Sequence, residues 1–133
     1  MSTAINFDGL FRADMCQTYA SVTPYVTKNG SEIRELMHPT VQGNKNQSLE
    51  EAAISVGAKT LRHKHLVTEE LNHILDGHGL MHLGDQTFDV FAGDTICIIP
   101  GNEHCIENIG SVNLVLLCCC SPAYAHDDTV LVA

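Results

Sequence analysis

Residues 57–77 read GAKTLRHKHLVTEELNHILDG. A glycine stands at each end, and between them the segments TLRHKH and ELNHIL flank the polar break Val67-Thr68-Glu69. The same rhythm continues downstream. Gly84-Asp85, Gly93-Asp94, Pro100-Gly101 and Gly110 separate LMHL, QTFDVF, TICII, HCIEN and VNLVLLCCC. Short segments rich in Ile, Leu, Val and Phe, with turn signals about every eight to twelve residues, predict an all-β sandwich or barrel.

Upstream of Gly57, SLEEAAISV begins like a capped helix, with Ser48 and Glu51 at capping-box spacing. The β-favouring Ile54-Ser55-Val56 makes strand the expectation, and no helix is predicted anywhere in the chain. SEIRELM, from Ser31, suits an edge strand before Pro39, and Thr40–Gln47 is a polar loop. Residues 1–30 show little periodicity and read as an arm. Residues 121–133, SPAYAHDDTVLVA, read as a polar extension, leaving a barrel of about residues 32–120 in a single domain.

Composition limits the functional classes. A chain of 133 residues can bury roughly two-thirds of its surface on folding, enough for a core without covalent staples. Sixteen acidic against seven basic residues, a net charge of -9, leave no electrostatic footprint for nucleic acid or anionic lipid. Residues 1–15 lack a basic start followed by an apolar block, and the longest apolar run, Leu114–Cys120, falls short of the roughly 20 residues of a membrane span. The expectation is a soluble, cytoplasmic protein. Three of the six cysteines are consecutive, Cys118 to Cys120, and neighbours on a strand point to opposite faces. They are expected to be reduced thiols packed in a sheet, with no adjacent base to make one a nucleophile.

Eight histidines carry the strongest chemical signal. His63 and His65, one residue apart, leave the same face of a strand within reach of one ion. If the segments around Val67–Glu69 form a hairpin, Glu70 returns beside them, and His104 opens another strand after Gly101. Three imidazoles and one carboxylate suit Fe(II), Mn(II), Ni(II), Co(II) or Zn(II) and leave positions open for water or substrate. His38, His78, His82 and His126 have no partner at metal spacing, and His73 lies out of phase with Glu70.

The spacing Gly57, His63-x-His65, Glu70, Gly77 resembles the first motif of the cupin superfamily, and Gly93, Pro100-Gly101, His104, Asn108 resembles the second. Between about Glu32 and Cys120 the chain resembles a minimal single-domain cupin, of the small bacterial group often labelled cupin 2 or mannose-6-phosphate isomerase-like. The resemblance implies a double-stranded β-helix, the cupin jelly roll, with one divalent metal held by His63, His65, Glu70 and His104. The Glu70-to-Gly77 interval favours Glu70 over Glu69 as the carboxylate. One departure is Ile99 where the second motif carries proline, although Pro100 still precedes Gly101. Another is Asn72 where an aromatic often stands. Its amide is expected either to touch a bound substrate or to orient a ligand.

Two functions follow as expectations. In one, a small polar metabolite chelates the metal and undergoes oxidation, isomerisation or lyase chemistry. In the other, the barrel is a non-catalytic module for a small molecule or metal. The sequence singles out no separate general base. Small cupins commonly dimerise, and Ile5, Phe7, Leu10, Phe11, Tyr19 and Val22 of the arm suit a cover for a neighbour's sheet edge.

Overall fold

The structure is a computed structural model and describes residues 16–133. Eleven strands form two antiparallel sheets: β1 (Tyr25–Val26), β2 (Glu32–Met37), β3 (Ser48–Ile54), β4 (His63–His65), β5 (Glu69–Asp76), β6 (His78–Leu83), β7 (Gln86–Phe91), β8 (Thr95–Ile98), β9 (His104–Asn108), β10 (Leu114–Ser121) and β11 (Thr129–Leu131). The first sheet has the order β1-β2-β3-β10-β5-β8 and the second β11-β4-β9-β6-β7. This is the all-β sandwich that the glycine punctuation predicts, in the jelly-roll form that the cupin resemblance implies. No helix among the described residues is long and apolar enough to cross a membrane.

The strands alternate as a half-buried sheet should. β3 and β10 both bury every second residue, so the SLEEAA segment is strand. Register then assembles rows across the inner face of the first sheet. Ile54 faces Leu114, and Ala52, Leu116 and Ile74 form the next row. With Met81, Val90 and Ile106 of the second sheet they make the core, in which Ile74 and Leu114 are fully buried. The following rows turn polar: Glu50, Cys118 and Asn72, then Ser48, Cys120 and Glu70. One end of the sandwich is therefore closed by hydrocarbon, and the other holds buried groups that need partners.

Several sequence expectations are corrected. A one-turn helix, α1 (Pro39–Gln42), interrupts the loop after β2, because His38 Nδ1 accepts the Thr40 amide and Pro39 occupies the first turn. Two short 3-10 turns, Tyr19–Ser21 and His126–Asp128, were likewise not expected. SEIRELM is not the sheet edge, since the two-residue β1 pairs outside it. Residues 129–131 are no extension: they pair with β4, placing Thr129 opposite His65 and Leu131 opposite His63. Of the arm residues, Ile5, Phe7, Leu10 and Phe11 lie outside the described residues.

Candidate metal centre

His63 and His65 share the inner face of β4, with Lys64 turned outward. His104 opens β9 directly opposite His63. It is set there by the Ile99–Asn102 turn, where the Asn102 amide bonds to Ile99 O at 3.2 Å and Gly101 has a φ of +83°. Proline followed by a left-handed glycine is what such a turn requires, so Ile99 does no harm there. The Gly101 amide also donates to His65 O at 2.7 Å, tying this turn to β4.

Glu70 arrives differently from the sequence expectation. β4 and β5 do not pair as a hairpin, because β4 lies in the second sheet and β5 in the first. The chain crosses between the sheets at Leu66–Thr68. Asp128 holds that crossing, its carboxylate oxygens accepting the amides of Val67 and Thr68 at 2.9 and 3.0 Å. The carboxylate thus meets the three imidazoles across the sandwich. Glu70 is buried and Glu69 exposed, as strand alternation demands.

One ligating atom from each of His63, His65, Glu70 and His104 lies within 4.8 Å of all the others, and all four residues are buried. His65 Nε2 is 3.0 Å and His104 Nε2 is 3.6 Å from Glu70 Oε1. The far sides of the rings are committed. His63 Nδ1–H donates to Leu61 O at 2.8 Å and His104 Nδ1–H to Asn102 O at 3.0 Å. His65 Nδ1 bonds to the Thr129 hydroxyl at 3.1 Å, and that hydroxyl donates its own hydrogen to Ala125 O. Protons on all three Nδ1 atoms leave the Nε2 lone pairs aimed inward, at a carboxylate that is itself an acceptor.

Such a cluster of acceptors calls for a cation. His104 Nε2 is buried with no hydrogen-bond partner. Burial, followed by the neighbouring His104, lowers the His63 pKa to about 4, so this ring does not supply a proton. A divalent ion with bonds of about 2.0–2.2 Å to nitrogen and oxygen fits donors this close. The Nδ1 contacts to carbonyl or hydroxyl oxygens are the supporting bonds that histidine ligands commonly have.

Asn72 has a contact suited to each of its two expected roles. Its Nδ2 donates to Glu70 Oε2 at 2.7 Å, leaving Oε1 to face the histidines, while its side chain also borders the cavity. Cys118 and Cys120 are more than sheet packing, since both line the cavity. Burial, with Glu70 and Glu50 nearby, pushes both thiols far up, so they stay protonated and do not act as nucleophiles. The other histidines serve elsewhere: His38 caps α1, His73 bonds Thr95, and His78 stacks on Phe91 with centroids 4.3 Å apart. Sequence reasoning missed Thr129, Asp128 and Glu50. The first two lie in a polar tail without periodicity, and Glu50 is one of two adjacent glutamates in a segment with a competing helix signal.

The sequence model of the cupin domain matches residues 51–120. The chain belongs to the cupin family. Among this cupin's relatives, the uncharacterized protein MJ1618 of Methanocaldococcus jannaschii is 53% identical over 111 residues, covering 84% of this chain and 89% of that protein. An oxalate-binding protein of Thermotoga maritima is 29% identical over 90 residues, covering 68% of this cupin and 74% of its own length. Among solved structures, a predicted oxalate decarboxylase from Thermotoga maritima superimposes with a TM-score of 0.71 at 25% identity, covering 81% of this chain and 99% of that one. KdgF from Halomonas sp. shares the fold alone, with a TM-score of 0.71 at 12% identity over 84% of this chain and 96% of that one.

Proposed function

We propose that this cupin holds one divalent transition metal through His63, His65, Glu70 and His104, and uses its open coordination positions to chelate a small oxyanion of the oxalate class. The observation that carries the proposal is the convergence of three imidazole lone pairs and one carboxylate oxygen within 4.8 Å, with no donor among them. Ions of the Fe, Mn, Ni, Co and Zn group suit that donor set. Bound there, such an ion supplies Lewis-acid polarisation of a chelated carbonyl or carboxylate and, for iron or manganese, redox capacity.

The chain's own residues define the rest. Glu70 offsets one metal charge, Asn72 and Thr129 orient ligands, and the apolar floor of Ile54, Met81, Ile106 and Leu116 keeps bulk water out. The cavity measures about 50 Å³. With about 10–15 Å³ needed per water on this measure, it holds roughly three to five water-sized groups. A compact diacid or 2-oxo acid is of that size. The oxalate-binding relative and the structural neighbour described as a predicted oxalate decarboxylase support the same ligand class.

A second reading, binding without turnover, is favoured by the relative's designation as a binding protein. The two part on one experiment. Untagged protein is analysed for metal, loaded with manganese and incubated with oxalate, while calorimetry follows binding and formate assays follow turnover. Binding with formate release supports the enzyme, and binding alone supports the module. Absence of metal uptake contradicts both. We further propose a homodimer that covers the β1 edge, where Val26 is 70% exposed. A light-scattering mass of twice 14.5 kDa is expected, and a single-chain mass contradicts the proposal.

A further inference from the structure

Four buried side-chain atoms among the described residues have no hydrogen-bond partner: Asn44 Oδ1, Glu50 Oε2, His82 Nε2 and His104 Nε2. Two of these residues border the candidate metal cavity, His104 and Glu50. The first is accounted for by the ion. Glu50 is not, because it lies outside the four-ligand cluster. Buried polar atoms are overwhelmingly satisfied in folded proteins, so an orphaned carboxyl on a cavity wall calls for a partner inside the cavity.

Glu50 sits mid-strand on β3 with 5% of its surface exposed. Its neighbours in register are Glu35 on β2 and Cys118 on β10, and the next residue of that row is Asn72, whose amide is already given to Glu70. Nearby Ser48 is engaged too, its hydroxyl accepting the Tyr124 amide. Among the described residues, neither lysine nor arginine lines the cavity. A diacid chelating the ion would therefore find no cationic side chain for its outer oxygens. A neutral carboxyl group is a donor that this wall offers.

We propose that Glu50 is the specificity-determining residue of the cavity, donating a hydrogen bond from its carboxylic acid to the outer carboxylate oxygen of a metal-chelating diacid. The proposal rests on the chelate reading above. In the metal-free fold its surroundings favour the proton on Glu50. Burial, then Glu70 of β5 and Glu35 of β2, raise its pKa to about 8. Tyr25 of β1, Tyr124, and Cys118 and Cys120 of β10 also sense its charge, and all four hold their own protons more firmly than usual. His63, His65 and His104 face the same cavity from β4 and β9. A neutral acid recognises a carboxylate by a charge-assisted hydrogen bond and rejects a ligand that presents donors there.

The test uses the full chain loaded with manganese, its stoichiometry checked by elemental analysis, and compares wild type with Glu50→Gln and Glu50→Leu. Oxalate is titrated by calorimetry at pH 7, and infrared difference spectra follow the carbonyl band of the protonated carboxyl. Wild type is expected to show that band and a shift in it when oxalate binds. Glu50→Gln, whose amide still donates, is expected to bind within about threefold of wild type. Glu50→Leu should bind about 10- to 100-fold more weakly, the usual effect of losing a hydrogen bond to a charged group. Equal oxalate affinity in wild type and Glu50→Leu at equal manganese content overturns the assignment of Glu50 and leaves the chelate reading standing, as does a band unmoved by oxalate. Wild-type protein that takes up no manganese, or takes it up and binds no oxalate, overturns the chelate reading and this assignment with it. If Glu50→Leu fails to fold, the infrared comparison of wild type with Glu50→Gln decides.

Discussion

His65 Nε2 and Glu70 Oε1 stand 3.0 Å apart, although their strands belong to different sheets. The contact brings the two sheets together at their polar end. It also presents a problem in acid–base chemistry. The Thr129 hydroxyl, having donated its hydrogen to Ala125 O, accepts the His65 Nδ1 proton and turns the Nε2 lone pair toward a carboxylate. Two acceptors at hydrogen-bond distance need a cation between or beside them, and the His63 and His104 nitrogens converge on the same spot.

Thr129→Val keeps the shape of the side chain and removes the acceptor for His65. Metal affinity is expected to fall about 10- to 100-fold, the usual cost of losing a partner that orients a ligand. A competition titration against a chromogenic chelator reads this directly. An unchanged affinity would show that the Thr129 contact does not set the ring.

Asn72→Leu separates the two roles open to that residue. Its amide bonds Glu70 Oε2 at 2.7 Å, so the variant should lose about tenfold in metal affinity before any substrate is added. If metal affinity is retained and only oxalate binding falls, Asn72 acts on the ligand alone.

Glu50 supplies a pH signature of stability. Its pKa is raised from an ordinary carboxylate value to about 8 in the fold, so between these limits the folded chain holds a proton that the unfolded chain has released. Stability from this residue is complete at low pH and declines as pH rises toward and through about 8. Glu50→Gln removes that dependence. In chelator-treated protein, the variant should gain on wild type by about 3 kcal/mol between pH 5.5 and pH 9, measured by urea unfolding. Parallel curves for the two proteins would place the Glu50 carboxyl in solvent.

How far the sequence could be read depends on whether a feature is local. Alternation and turn residues act within a few positions, so the strands and the inward pair His63 and His65 are visible in the letters, while Glu70 over Glu69 rests on the cupin motif's interval to Gly77. Pairing across the sandwich is not local. Nothing near Thr129 announces that it will face His65, and nothing near Asp128 shows that it will cap the crossing at Val67 and Thr68. Glu50 was hidden for a related reason, since its burial is decided by β2 and β10 on either side.

Gly79 tests the apolar end independently of the site. A Cβ at this position would lie 2.9 Å from Leu114 Cδ2 and within 3.2 Å of Val90 and Ile106, all packed in the core. Gly79→Ala should destabilise the fold by about 1–3 kcal/mol through overpacking while leaving metal stoichiometry intact. Thermal unfolding and metal content, measured on the same sample, check both halves.

The central claim is that His63, His65, Glu70 and His104 form one metal site, and elemental analysis of untagged wild type and His104→Ala tests it most directly. The account predicts one divalent transition metal per wild-type chain and a folded His104→Ala barrel without stoichiometric metal. Undiminished metal content in His104→Ala, or wild-type protein that binds none when metal is supplied, would contradict it.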